Sequence, residues 1–284
     1  LNYFAERGIK FGRDIAWTHG PLGFLVVPMN VGSNIAIGAS FQLCLYAVFI
    51  ATMIYLVSKN YFTNFQLFSF LLFLSGGSWT WELPRRWDYF ICLLVLFFLS
   101  LSMKMGKKWL LPYIIAVLLG VILVFIKFSS ALLAISSIVV FGLISGFFDK
   151  NRFLISAMIT LMCIPILYAL IYLSYHPSFM DMLHYLKDSI EIISGYSGGM
   201  SQLGKWREIL WALLFFLLYI FLAFKLYKRQ RKSFWLSILF IIPLFIAFKH
   251  GFVRQPPHVM VFFSFTLLIL GLLFLFTDNK RLAY

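Results

Sequence analysis

Acidic residues are scarce in this chain: only 10 of 284 positions are Asp or Glu, and charged residues of both signs make up 12%. A water-soluble domain carries roughly a quarter charged residues and about half apolar ones. Here 62% of the residues are hydrophobic, and the excess has to face lipid. Cysteine is scarce too. Cys44, Cys92 and Cys163 all fall inside apolar runs and lack metal-ligand spacing, so neither a disulfide framework nor a zinc or redox motif follows. The sequence has no Gly-rich loop ending in Lys-Ser/Thr, no dinucleotide fingerprint and no Ser-centred hydrolase elbow, which leaves no cytoplasmic ATP-driven engine in it. It also shows no internal repeat, and so lends no support to an inverted-repeat transporter.

Long apolar runs dominate instead. At about 20 residues per crossing they suit about eight to ten helices, and their continuity is unlike the short alternating segments of a β-barrel. Nine stretches qualify, at roughly 35–57, 61–79, 89–103, 109–126, 131–148, 153–173, 209–227, 234–248 and 259–276. The second is diluted by Gly76, Gly77 and serines, and the third and eighth are short. The expected fold is therefore all-α: a polytopic integral membrane bundle of about nine spans in the cell membrane. Its divisions are a non-cytoplasmic segment 1–34, a helical domain 35–276 that includes an outer loop 174–208, and a cytoplasmic tail 277–284. The first residues are loop-like and the chain begins at Leu1, so at least one further span is expected upstream.

The net charge of +14 belongs to residues that flank spans and meet anionic headgroups. No basic face with interleaved stacking aromatics lies outside the spans, so nucleic acid is not an expected partner. With nine crossings, one side carries short basic connectors, including the run Lys228-Arg229-Gln230-Arg231-Lys232, and is placed in the cytoplasm. The other side carries most of the acid: Glu6, Asp14, Glu82, Asp88, Asp181, Asp188, Glu191 and Glu208. It also gathers five unusual segments, around Asp14–Gly23, Trp81–Asp88, Lys127–Ser130, Gly195–Met200 and Lys249–His258. A protein working at its outer face would have this asymmetry. Within the outer loop, Phe179, Leu183, Leu186, Ile190 and Ile193 recur at helical spacing up to Gly195. They predict an amphipathic helix too polar to span, lying along the interface.

Several outer-side residues are candidates for chemistry. Asp14, and after it Glu6, can serve as general base towards a hydroxyl acceptor. His19 can hydrogen-bond a substrate or bind a metal; His250 and His258 flank Arg254 as similar candidates, too far apart in sequence to assert a metal pair. Arg85, Arg86, Lys127, Lys249 and Arg254 are cations where topology does not require them, next to apolar runs, and suit an acidic partner, a lipid phosphate or a substrate phosphate. Arg254 lies in a turn stiffened by Pro256-Pro257, and Tyr196 lies in the Gly-rich end of the outer loop.

The segment Thr18-His19-Gly20-Pro21-Leu22-Gly23 is similar to the His-Pro-Pro-Leu-type motif in the first outer loop of the GT-C superfamily of polytopic glycosyltransferases, with Gly20 in place of the first proline. Together with Lys127-Phe128-Ser129-Ser130, Gly195-Tyr196-Ser197 and Gly251-Phe252-Val253-Arg254, the chain resembles an uncharacterised bacterial branch of that superfamily. The resemblance implies transfer of a sugar from a polyprenyl-phosphate-linked donor to a glycan, lipid or protein acceptor at the non-cytoplasmic face. It also implies a carboxylate ahead of the motif as base, with Arg and Lys, and in some members a divalent metal ion, stabilising the departing phosphate. An O-antigen ligase or polymerase-type envelope enzyme is the alternative. A transporter or flippase is disfavoured because ionisable residues are nearly absent from mid-span.

Overall fold

The computed structural model describes residues 2–78, 86–175, 178–199, 201–229, 231–253 and 255–277. Apart from two single-residue bridges, every regular element among them is helical. A short α1 (Asn2–Glu6) and a 3-10 turn (Gly23–Leu25) precede α2 (Asn34–Ser58), α3 (Asn64–Ser78), α4 (Trp87–Lys104), α5 (Leu110–Ile126), α6 (Phe128–Phe148) and α7 (Lys150–Tyr175). Then come α8 (Phe179–Gly199), α9 (Trp206–Arg229), α10 (Arg231–Val253) and α11 (Gln255–Phe276).

Each of the nine apolar stretches is a helix. Backbone donors and acceptors have no water to pair with in lipid, and a helix satisfies them within one segment. Eight of the nine, all but α3, are long and apolar enough to cross a membrane. The chain is thus an all-α, multi-pass protein of the plasma membrane. The 15 residues of α3 rise only about 22 Å, short of a hydrocarbon core about 30 Å thick. α3 lies antiparallel along α11. Phe62 meets the Phe276 ring at 5.5 Å, Phe73 stacks on Phe274 at 5.6 Å, and Gln66 Nε2 donates to the carbonyls of Leu275 (3.1 Å) and Thr277.

Burial separates centre from periphery. In α4 and α11, 78% of the most apolar window is buried, against 11% in α2 and 17% in α7 and α9. The last three turn apolar side chains outward, as lipid permits and water would not. α5 and α6 pack on α4, and a polar tie joins α5 to α7: Tyr113 Oη donates to Ser156 O at 3.1 Å and lies 2.9 Å from Thr160 Oγ1.

The interruption between α5 and α6 is a single residue. Lys127 is extended (φ −158, ψ 107) and closes one helix while opening the next. The N-terminal segment crosses this junction: Phe128 N donates to Thr18 O (2.8 Å), Gly20 N to Ile126 O (3.2 Å) and Leu22 N to Phe125 O (2.9 Å). Gly20 is required there, because a Cβ would collide with the Phe125 carbonyl and the Tyr185 hydroxyl. The first proline of a His-Pro-Pro-Leu turn would also lack the N–H that Gly20 donates.

The outer-loop helix is α8, with one correction to the sequence expectation, its end. Ser178 and Asp181 cap it reciprocally, Asp181 N donating to Ser178 Oγ (3.0 Å) and Ser178 N to Asp181 Oδ2 (2.9 Å). The helix does not stop at Gly195 but continues to Gly199. Its packed face is Met182, Tyr185 and Ser189, while Phe179, Leu183 and Ile190 point outward. Two polar anchors decide this: Tyr185 Oη donates to Val124 O (2.8 Å) and Ser189 Oγ to Trp17 O (3.3 Å). Leu186 packs partly buried against the small cluster of Phe11, Phe128 and Tyr185, whereas Lys187 is exposed. Leu186→Asp should therefore lower the stability of the purified protein by about 2 kcal/mol or more, and Lys187→Asp by less than about 0.5. Equal losses in thermal unfolding would mean that α8 is not docked this way.

Candidate functional site

At one end of the bundle, five elements terminate together: the start of α4, the α5–α6 junction, the end of α10 and the start of α11. The segment at Thr18–His19 and the middle of α8 close over them. Between these parts lies a cavity of about 500 Å³. Its polar wall is Thr18, His19, Lys127, Ser129, Ser130, Lys249, His250 and His258, and Tyr89 completes it. Its apolar wall is Leu132, Leu133, Ile193, Phe245, Ile246 and Val253. The site therefore combines cations and imidazoles with apolar span side chains, as a pocket for an amphiphile does.

A buried ion cluster backs the polar wall. Asp88, 4% exposed in the first turn of α4, accepts from Lys127 Nζ (2.9 Å), Ser130 Oγ (2.6 Å) and Arg86 Nε (3.1 Å) and Nη2 (3.3 Å). The Arg86 guanidinium also lies over the Tyr89 ring, 5.0 Å from its centroid. One carboxylate thus holds two cations, and Lys127 is the one that reaches the cavity. Asp88 itself does not line the cavity; it fixes Lys127 and Ser130, which do. Fixing matters, because a free lysine carries a large rotamer entropy.

His19 forms the single antiparallel bridge to Lys127. Its Nδ1 accepts the indole N–H of Trp17 at 3.1 Å. An indole N–H can only donate, so the neutral ring carries its proton on Nε2. Burial, and then the nearby charge of Lys127, push the His19 pKa from 6.5 down to about 4. The folded value lies below the unfolded one, so the contribution of the neutral ring is complete above about pH 6.5 and is lost as pH falls towards 4. The stability of the wild type relative to His19→Gln should accordingly decline across that window. Parallel pH profiles of thermal unfolding would show that the ring is not held neutral.

His250 and His258 sit on facing helix ends with ring centroids 5.1 Å apart, and His250 lies 5.9 Å from Tyr89. His250 Nε2 is buried with no hydrogen-bond partner among the described residues. A metal ion does not fit this donor set. Among the described residues no group of three His, Cys, Asp or Glu is spaced to hold one, and the Asp88 oxygens are already taken by Lys127, Arg86 and Ser130.

The structure thus brings together His19, Lys127, Lys249, His250 and His258, with Arg86 one step behind through Asp88. Tyr196 belongs to α8, whose Ile193 lines the cavity. Arg85 and Arg254 lie outside the described residues. The two candidate bases are elsewhere. Asp14 is exposed, paired with Arg13 at 3.0 Å and bonded by Lys10 N, and these contacts hold its carboxyl below the usual range. Glu6 is exposed against Gly32. The residues not singled out from sequence are Asp88, Ser130 and Tyr89. No family model, curated protein or solved structure matches the chain.

Proposed function

We propose that the chain is a membrane glycosyltransferase of GT-C type, drawing on a polyprenyl-phosphate-linked sugar at the non-cytoplasmic face. The observation that carries the reading is the mixed lining of the cavity, in which a fixed cation and imidazoles share one space with apolar side chains of the span ends. A lipid phosphate needs both, since its head is an acceptor-only anion and its tail is hydrocarbon. Lys127 and Lys249 would supply the charge, with His19 Nε2 as a further donor. The outward assignment rests on the basic run Lys228–Lys232, which lies between α9 and α10 at the opposite end of the bundle.

In the reaction, the acceptor hydroxyl oxygen bonds to the anomeric carbon as the bond from that carbon to the phosphate oxygen breaks. The phosphate leaves with the electron pair, and its growing charge is met by Lys127, already positioned by Asp88. The hydroxyl proton goes to His250 Nε2, a buried atom of the cavity lining with no hydrogen-bond partner among the described residues. A phosphate is a good leaving group and needs no acid to protonate it. The reading is tested by sugar transfer from a polyprenyl-phosphate donor by the purified full-length protein. Turnover that depends on the lipid phosphate is expected; absence of transfer across donors and acceptors, by folded protein, would remove the proposal.

A further inference from the structure

A second cavity, of about 420 Å³, lies at the opposite end of the bundle, among the end of α4, the end of α6, the start of α7, the start of α10 and the end of α11. It plays no part in the reaction above. Its polar lining is rich in donors. Lys104 and Arg152 contribute charge, and no Asp or Glu is among its described lining residues. Arg152 donates to the Gly106 carbonyl and its guanidinium lies 5.1 Å from the Trp109 ring centroid, so the head group is held in place. It has no carboxylate within ion-pair range among the described residues. A guanidinium carries five N–H donors, more than one carbonyl uses.

Trp235 supplies an independent sign. Its ring is packed by Phe147 (5.5 Å) and Phe148 (5.7 Å), and its Nε1 is buried with no hydrogen-bond partner among the described residues. A buried N–H without a partner is costly. Because it can only donate, the missing partner must be an acceptor. Fixed guanidinium, ammonium and indole donors around one space select an acceptor-only anion, and phosphate is the commonest. Met103, Ile144, Phe148 and Phe276 add hydrocarbon to the wall, and the cavity far exceeds what a free ion would fill. Basic pockets between spans at the membrane surface suit anionic lipid headgroups.

We propose that this cavity seats the phosphate of an anionic phospholipid from the leaflet at that end, gripped by Arg152 and Trp235 Nε1. The test is native mass spectrometry of the full-length protein released from detergent with synthetic phosphatidylglycerol or phosphatidylcholine. One phosphatidylglycerol should be retained about tenfold more strongly than phosphatidylcholine, and Arg152→Gln should weaken it about tenfold or more. Trp235→Phe keeps the ring packing and removes only the N–H, and should weaken retention severalfold. Inorganic phosphate in large excess should not displace the lipid. Unchanged retention in both variants would overturn the site, and displacement by inorganic phosphate would overturn the lipid assignment in favour of a free ion.

Discussion

Asp88→Ala is expected to destabilise the folded protein by about 3–5 kcal/mol, the usual cost of leaving buried charges without their partner. The carboxylate is 4% exposed and accepts from Lys127, Arg86 and Ser130, three residues on the start of α4 and the α5–α6 junction. Its removal leaves the largely buried Lys127 ammonium without the carboxylate that holds it. A double variant identifies the cause. Lys127→Met added to Asp88→Ala should restore part of the loss, with a coupling of about 1–3 kcal/mol. Thermal or denaturant unfolding of the two single variants and the double variant in detergent measures it. Strictly additive losses would mean that Asp88 and Lys127 do not act as a pair.

Lys127→Ala should slow sugar transfer by about a hundred- to a thousandfold, the typical effect of removing one fixed donor from a developing oxyanion. The side chain lines the cavity and is held at 2.9 Å by Asp88, so its charge is in place before the bond to phosphate breaks. The loss should fall equally on kcat and kcat/KM, as it does for an interaction made in the transition state. Lys249 is exposed at the rim and its replacement by alanine should cost less than about tenfold. Lys127→Arg keeps the charge but must fit a larger planar head beside Asp88, and should recover part of the rate. A loss confined to KM would reduce Lys127 to a binding anchor.

The helices were legible because lipid imposes one pattern on every span. The stretch 35–57 became α2 at Asn34–Ser58, and the lone Lys127 between apolar runs became the one-residue junction. The convergence of His19, Lys127, Lys249, His250 and His258 was legible from topology, since alternating spans bring the same set of loops to one face. Asp88 was not legible as the centre of the cluster. It stands among eight acids on that face, and its partners Lys127 and Ser130 lie 39 and 42 residues away, a pairing no local pattern encodes. Asp14 drew attention by preceding the Thr18–Gly23 turn, yet its charge is spent locally on Arg13. In α8 the apolar period was legible, and the residues that dock it on the bundle were not. Tyr185 and Ser189 reach the carbonyls of Val124 and Trp17, and those two hydrogen bonds outweigh the burial of Phe179, Leu183 and Ile190.

The most direct test of the account is capture of a lipid phosphate in the outer cavity. A photoreactive polyprenyl phosphate, added to the full-length protein in membranes, should label Phe245, Ile246 or Leu132 on the apolar wall. The matching polyprenol, which lacks the phosphate, should label these positions far less, and Lys127→Ala should abolish the difference. Equal labelling by phosphate and alcohol, or labelling spread over the outward faces of α2, α7 and α9, would contradict a phosphate site in this cavity.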